Sequence, residues 1–115
     1  MFSIVIPTYN NFEYLKLSIR SIKDNSKFNH EIIIFVQESK DEIIRFLKKK
    51  KIKFLYSNTN MGLCYAYNKC VEISKSNLIV TAHDDMYFCK KWDIYLFNEY
   101  KKLKTKKFYL SGTMI

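Results

Sequence analysis

Glycine, proline and cysteine are scarce in this sequence of 115 residues, which has two glycines, one proline and three cysteines. With so few turn-forming residues and 48% hydrophobic residues, the chain is a poor candidate for a disordered or linker-rich protein. The cysteines are odd in number and lack CxxC spacing, which argues against a disulfide framework and a cysteine-based zinc site. No stretch approaches the roughly 20 apolar residues that a membrane helix needs. We therefore expect one globular domain over residues 1–115 that is cytoplasmic, with reduced cysteines, and soluble or at most peripheral to a membrane.

Positive charge exceeds negative charge, with 20 lysine and arginine residues against 11 acidic residues and a formal net charge of +9. Such an excess suggests a nucleic-acid or membrane-surface partner. Much of it lies in two lysine-rich runs, 48–53 and 101–107, where we predict helix C-termini whose dipoles the cations complement. No RNA- or DNA-binding signature accompanies them. We therefore favour solvated helix ends and no nucleic-acid partner. A basic nucleic-acid-binding α/β domain is the least favoured alternative, and attraction to a membrane surface or a phosphate-bearing ligand stays open.

The apolar residues predict strands and helices in strict alternation. Short runs rich in β-branched and aromatic residues indicate strands at 2–6, 31–36, 52–56, 78–81 and 108–115. Between them, apolar residues recur at helical spacing over 12–22, 43–47, 63–73 and 96–103. The first two strand runs are nearly continuous, as expected for strands covered on both faces. The order predicts an α/β fold with a mostly parallel, doubly wound, Rossmann-like sheet.

Helix starts are also indicated by the sequence. The pair Asn10-Asn11 can cap the first helix. Ser39 and Glu42 have the spacing of a capping box, in which a serine hydroxyl and a glutamate satisfy the free amides of the second helix.

Polar segments follow four of the predicted strands, at 7–10, 37–39, 57–60 and 83–85. In a parallel sheet these segments share one edge, where ligands bind. Each has a plainer explanation: a turn into a capped helix for 7–10, helix capping for Ser39, and a loop-to-helix junction for Asn60 and Gly62.

The adjacent carboxylates Asp84 and Asp85 are harder to explain as a turn. Two acids at the end of a buried strand repel one another and lose hydration, which is costly unless a cation or amides compensate. Mg²⁺ or Mn²⁺ held by one or two carboxylates plus substrate phosphates resolves this. We favour binding of a metal diphosphate over a solvated turn. No GxGxxG or GxxxxGK[ST] motif is present, which argues against dinucleotide-dehydrogenase and P-loop functions.

Three segments in this order resemble family 2 glycosyltransferases, which have the GT-A nucleotide-sugar-binding fold. Residues 3–10, Ser-Ile-Val-Ile-Pro-Thr-Tyr-Asn, resemble the opening strand of that family. The spacing Asn60-x-Gly62-x-x-x-Ala66-x-Asn68 looks like its helix motif. His83-Asp84-Asp85 falls at the position of its DxD metal motif, ahead of an aromatic segment.

The resemblance implies roles for individual residues. Pro7, Thr8 and Tyr9 would line the base and ribose, and Asn60 and Gly62 would also bind the nucleotide. Gln37 stands where the family usually has an acid that contacts the base, and it can donate and accept hydrogen bonds toward a uracil-like edge. Asp85 would bind Mn²⁺ or Mg²⁺, and Asp84 would face the ribose or a metal-bound water. His83 is either a weak metal ligand or, as we favour, an orienting or packing residue.

The implied reaction is transfer of a sugar from a nucleotide-diphosphate sugar, with UDP-sugar favoured, to a hydroxyl of a saccharide or of a lipid- or protein-linked acceptor. It would be metal-assisted and inverting. The general base and acceptor pocket of the family come from a C-terminal half, and we assign no base in this chain, Glu99 included. We therefore expect the donor-binding half of the fold, incomplete at its C-terminus. The alternative is a non-catalytic nucleotide-sugar-binding module. Location at the inner face of the membrane also stays open.

Overall fold

A computed structural model describes residues 1–38, 41–105 and 109 of the chain. Strands and helices alternate over this part, as the apolar pattern predicts. Their bounds are β1 (Ser3–Tyr9), α1 (Phe12–Asn25), β2 (Glu31–Gln37), α2 (Asp41–Lys49), β3 (Lys53–Ser57), α3 (Leu63–Glu72), β4 (Ile79–Thr81) and α4 (Trp92–Lys101).

The strands form a four-stranded parallel sheet in the order β3-β2-β1-β4. β1 pairs with β2 along its whole length, from Ser3 opposite Glu31 to Tyr9 opposite Gln37. β4 pairs only with the first half of β1, from Ser3 to Val5. Since all pairs are parallel, the carboxyl ends of the strands meet at one edge of the sheet, which confirms the predicted doubly wound α/β class.

Helices cover both faces of the sheet, and each face has its own apolar core. On one face, Ile4 and Ile6 of β1 pack with side chains of α1 and α2, such as Leu15 and Leu47. On the other face, Val5 packs against α3 together with strand β2. Consecutive residues of β1 therefore point into opposite cores, which explains why its run is continuously apolar.

Element boundaries differ from the sequence expectation at several points. β1 and β2 extend further toward their carboxyl ends, through Tyr9 and Gln37, while β4 is only three residues long. α4 begins at Trp92 and ends before Leu103, which we had placed in it. The proposed capping box depends on Ser39, which lies outside the described residues. The predicted fifth strand over 108–115 also lies outside them apart from Tyr109.

Within the residues that the structure describes, no helix is both long and apolar enough to cross a membrane.

Candidate functional site

A cleft of about 300 Å³ opens at the carboxyl edge of the sheet, between the ends of β1 and β2, the start of α3 and the segment after β4. All the residues that we expected to bind nucleotide line it, and His83 lies beside them. The lining consists of Pro7, Thr8, Tyr9, Asn11, Gln37, Asn60, Gly62, Leu63, His83 and Asp84. Asn11 and Leu63 were not predicted. The cleft therefore brings together residues that are up to 77 positions apart in the sequence.

Asp84 lies at the wall of this cleft with both carboxylate oxygens hydrogen-bonded. The hydroxyl of Thr8 donates to Oδ2 at 2.9 Å, and the side-chain amide of Asn11 donates to Oδ1 at 3.0 Å. Thr8 is buried at the end of β1, and the Ala82 amide continues the β1–β4 pairing by donating to the Val5 carbonyl at 3.0 Å. The pairing of β4 with β1 thus brings Asp84 next to the end of β1, where two uncharged donors hold its carboxylate.

Asn11 does not act as the side-chain cap that the sequence indicates. It occupies the N-cap position of α1, and its carbonyl accepts the first helical bond from the Leu15 amide, but its side chain makes no capping hydrogen bond. The side chain contacts Asp84 instead. The capping prediction was therefore wrong for the side chain, because a contact 73 residues away in sequence competes for it.

Gln37 is buried at the end of β2 and organises the loop that leads into α3. Its Oε1 accepts a hydrogen bond from the Met61 amide at 2.6 Å. In the same loop, Oδ1 of Asn60 accepts from the Gly62 amide at 2.9 Å, and Gly62 has φ +82°. That conformation suits glycine because it has no Cβ. Gln37 and Asn60 therefore shape the cleft as well as line it.

Tyr9 and Glu38 form an acidic rim where β1 and β2 end. A hydrogen bond from the Tyr9 hydroxyl to the Glu38 carboxylate, together with the charge of that carboxylate, raises the pKa of Tyr9 above its usual value. Glu38 has φ +49° and Asn10, directly after Tyr9, has φ +51°. A left-handed residue thus follows each strand. Asparagine tolerates this conformation, whereas for Glu38 it is costly. No sequence pattern indicated a role for Glu38.

His83 and Asp85 lie on either side of Asp84 and are exposed. Asp85, our expected metal ligand, does not line the cleft as His83 and Asp84 do. Within the part of the chain that the structure describes, no three histidine, cysteine, aspartate or glutamate side chains are grouped so that they could hold a metal ion.

Residues of α1 and α3 that sequence patterns did not indicate hydrogen-bond to the segment around Asp84 and Asp85. The Tyr67 hydroxyl of α3 donates to the Ala82 carbonyl at 3.1 Å. Burial raises the pKa of Tyr67, with contributions from Tyr109 and Asp84. On the other side, the Phe88 amide donates to Ser21 Oγ at 2.9 Å, and Asn25 of α1 donates to the Phe88 carbonyl at 2.7 Å. These bonds hold the loop at Ala82 and Phe88, on either side of Asp84, and none of them involves the Asp84 carboxylate.

A parallel α/β sheet with a polar cleft at its carboxyl edge is the arrangement of nucleotide-binding folds. The sequence model of glycosyl transferase family 2 matches residues 3–109, and the chain belongs to that family.

Curated relatives agree with this assignment. An uncharacterised glycosyltransferase of Rickettsia bellii is 30% identical over 98 residues, which is 82% of this chain and 14% of that protein. An uncharacterised protein of Mycobacterium tuberculosis, MT1568, is 28% identical over 88 residues, which is 74% of this chain and 28% of that protein. The chain thus spans less than a third of the length of each of these relatives.

Solved structures share the fold. S. aureus TarS, residues 1–349, matches with a TM-score of 0.73 at 20% identity, over 86% of this chain and 32% of the other. The same TarS segment in complex with UDP matches with a TM-score of 0.72 at 21% identity and the same coverage. A Pyrobaculum calidifontis mannosyltransferase, in complex with GDP-Man and Mn²⁺, matches with a TM-score of 0.73 at 16% identity, over 91% of this chain and 32% of the other. The sheet is therefore the GT-A type expected from the resemblance.

Proposed function

We propose that this chain is the donor-binding part of a family 2 glycosyltransferase, which transfers a sugar from a nucleotide-diphosphate sugar to an acceptor hydroxyl. The observation that carries the proposal is the cleft, which gathers the expected nucleotide-binding side chains at the carboxyl edge of the sheet. UDP-sugars are the favoured donors, and a saccharide or a lipid- or protein-linked hydroxyl is the acceptor.

Within this proposal, Pro7, Thr8 and Tyr9 contact the base and ribose at the end of β1. Gln37 contacts the base from β2, since it is buried against the cleft and its carboxamide can hydrogen-bond to a base edge. Asn60 and Gly62 offer a close approach of the backbone to the ligand, because no side chain projects from Gly62.

A divalent ion fits the pair of carboxylates that follows β4. Mg²⁺ and Mn²⁺ prefer oxygen ligands and are typically held by one or two carboxylates together with substrate phosphates. Asp85 is exposed and would hold the ion. Asp84, already fixed by Thr8 and Asn11, would face the ribose or a metal-bound water, and His83 would orient the loop. When bound, such an ion neutralises charge on the leaving diphosphate.

The same proposal covers the extent of the domain, its cellular location and its contact with a membrane. The chain spans about a third of the length of the solved structures that it matches. Within the proposal, residues 1–115 act as one donor-binding domain, the transfer is inverting, and no general base is assigned among these residues. The free cysteines suit a cytoplasmic location. Lysines in the last turns of α1, α2 and α3 lie at the edge opposite the cleft, which suits peripheral contact with an anionic inner membrane face.

Calorimetric titration with UDP in the presence and absence of Mn²⁺ tests the donor site. We expect Mn²⁺-dependent UDP binding by the wild-type chain and its loss in Asp85→Ala. Asp24→Ala is the matched control, because it removes the same charge from an exposed surface pair with Arg20, away from the cleft. Equal UDP affinity of Asp85→Ala and wild type would contradict the metal assignment.

A donor-hydrolysis assay then separates an enzyme from a binding module. Release of sugar from a UDP-sugar supports catalysis by this chain. Binding without release supports the alternative of a non-catalytic nucleotide-sugar-binding module. Binding that ignores Mn²⁺ and weakens steeply with salt would instead indicate a polyanion-binding protein.

A further inference from the structure

Asn11 occupies the N-cap position of α1, but its side chain does not cap the helix. Asparagine is among the most favoured N-cap residues because its side-chain oxygen accepts a hydrogen bond from an amide of the first turn. Here the backbone of Asn11 begins α1, yet its side chain makes no capping bond. The side chain is committed instead to Asp84, 3.0 Å away.

The chemistry of the contact fixes how the Asn11 carboxamide is turned. A carboxylate only accepts hydrogen bonds, so the nitrogen of Asn11, and not its oxygen, must face Oδ1 of Asp84. Thr8 donates to the other oxygen at 2.9 Å. With one donor on each oxygen, rotation of the carboxylate about its χ2 angle would break both bonds at once.

The two donors lie close together in the sequence: Thr8 is near the end of β1, and Asn11 is the N-cap residue of α1. Asp84 is far from them in the sequence, in the segment that follows β4. The backbone at Asp84 lies in a turn, closed by a hydrogen bond from the Met86 amide to the His83 carbonyl at 3.3 Å, but the two contacts to its carboxylate come from Thr8 and Asn11. The orientation of the Asp84 carboxylate in the cleft therefore depends on the end of β1 and the start of α1.

We propose that Asn11 is a positioning residue for the donor site, which acts by holding Asp84 in the orientation that meets the nucleotide. This inference rests on the proposed function. It assigns to Asn11 a role in ligand binding that replaces its expected role in starting the helix.

Two substitutions of Asn11 test the proposal by titration with UDP at saturating Mn²⁺. Asn11→Ala removes the donor, and Asn11→Ser restores a favoured N-cap residue that is too short to reach Asp84. We expect both variants to bind UDP about tenfold more weakly than wild type while remaining folded by circular dichroism.

Asn25 provides a matched control on the same helix. Its side chain donates to the Phe88 carbonyl at 2.7 Å, so Asn25→Ala removes an asparagine hydrogen bond between α1 and the loop that precedes α4 without touching Asp84. We expect Asn25→Ala to lower the unfolding midpoint while its UDP affinity stays within about twofold of wild type.

A double-mutant cycle with Asp84→Ala distinguishes positioning from a general structural effect. If Asn11 acts through Asp84, adding Asn11→Ala to Asp84→Ala changes UDP affinity by less than about twofold. An undiminished tenfold effect in that background would overturn the inference, as would wild-type affinity in both Asn11 variants or an equal loss in Asn25→Ala. Failure of the wild-type chain to bind UDP would overturn the proposed function itself and this inference with it.

Discussion

The Nε2 atom of His30 lies 2.8 Å from Oδ2 of Asp93, and both side chains are buried at the edge of the sheet opposite the cleft. The Phe2 amide donates to Nδ1 of His30 at 3.0 Å, so the neutral ring carries its proton on Nε2 and donates it to Asp93. Asp93 also accepts from the amides of Lys27 and Phe28 at 2.9 Å each. This pair joins the start of β1, the α1–β2 loop and α4.

Loss of the Asp93 carboxylate should destabilise the fold strongly. Burial alone would raise its pKa, but hydrogen bonds from the Phe28 and Lys27 amides and from His30 outweigh it and hold the pKa of Asp93 below its usual value. We expect Asp93→Ala to lower the free energy of unfolding by about 3 kcal/mol, because buried donors lose their partner. Urea denaturation measures this.

Glu99→Ala on the same helix is the control for Asp93→Ala. Glu99 is exposed and pairs with Lys102 at 3.1 Å, so its removal should cost less than about 0.5 kcal/mol. Equal effects of the two substitutions would show that the buried pair does not stabilise the junction.

Glu31 should make stability depend on pH in the acid range. Burial alone would raise the pKa of Glu31. Hydrogen bonds from the Lys53 ammonium, the Lys75 amide and the Ser3 hydroxyl, together with the Lys53 charge, outweigh burial and lower the pKa to about 2. Since this value lies below 4.5, the usual pKa of the carboxyl, the stabilisation is complete above pH 4.5 and is lost as the pH falls toward 2.

We expect Glu31→Gln to cost about 2 kcal/mol at pH 7 and to cost little near pH 2. Denaturant unfolding of both proteins across this pH range checks the prediction. A constant difference between Glu31→Gln and wild type at every pH would contradict it.

Gly62 should resist substitution although the space beside it is open. Among the described residues, and leaving aside Gly62 and its two chain neighbours, no atom lies within 4 Å of the position that a Cβ would occupy, so an added methyl group meets no steric clash there. Its φ of +82° with ψ of 168° is nevertheless a region that other residues rarely adopt. We therefore expect Gly62→Ala to cost about 1–3 kcal/mol in unfolding free energy from backbone strain alone.

Met61→Ala is the neighbouring control for Gly62→Ala. The Met61 side chain is exposed and its amide keeps the bond to Gln37, so we expect a change within about 0.5 kcal/mol. Wild-type stability of Gly62→Ala would show that the loop relaxes to another conformation.

The three cysteines should react with a thiol reagent at two different rates. Cys64 and Cys89 are exposed, whereas Cys70 lies on the buried face of α3, and burial raises the pKa of its thiol to about 11. Because the thiolate is the reactive form, we expect Cys70 to be labelled at pH 8 at least about 100-fold more slowly than the other two. Cys70→Ala should remove the slow phase, and denaturant should abolish it in wild type. A single fast phase for all three thiols would contradict the burial of Cys70.

The periodicity of apolar residues was enough to predict the fold class. Ile4 and Val5 face opposite cores, and a strand covered on both faces must be apolar at consecutive positions. Strand ends were less predictable. Thr8 and Gln37 are polar yet remain inside their strands, because hydrogen bonds to Asp84 and Met61 satisfy them when they are buried.

The sequence by itself determined the alternation of strands and helices, the family and the residue types that follow each strand, since these depend on local spacing and on motifs of adjacent residues. Only the tertiary structure decided which of these residues share the cleft and what each side chain bonds to. Asn11 illustrates the difference. Its residue type and position predict a helix cap, but folding brings Oδ1 of Asp84 within 3.0 Å of its side-chain nitrogen. The hydrogen bond from Asn11 to this charged carboxylate is stronger than the bond between neutral groups that a helix cap would make.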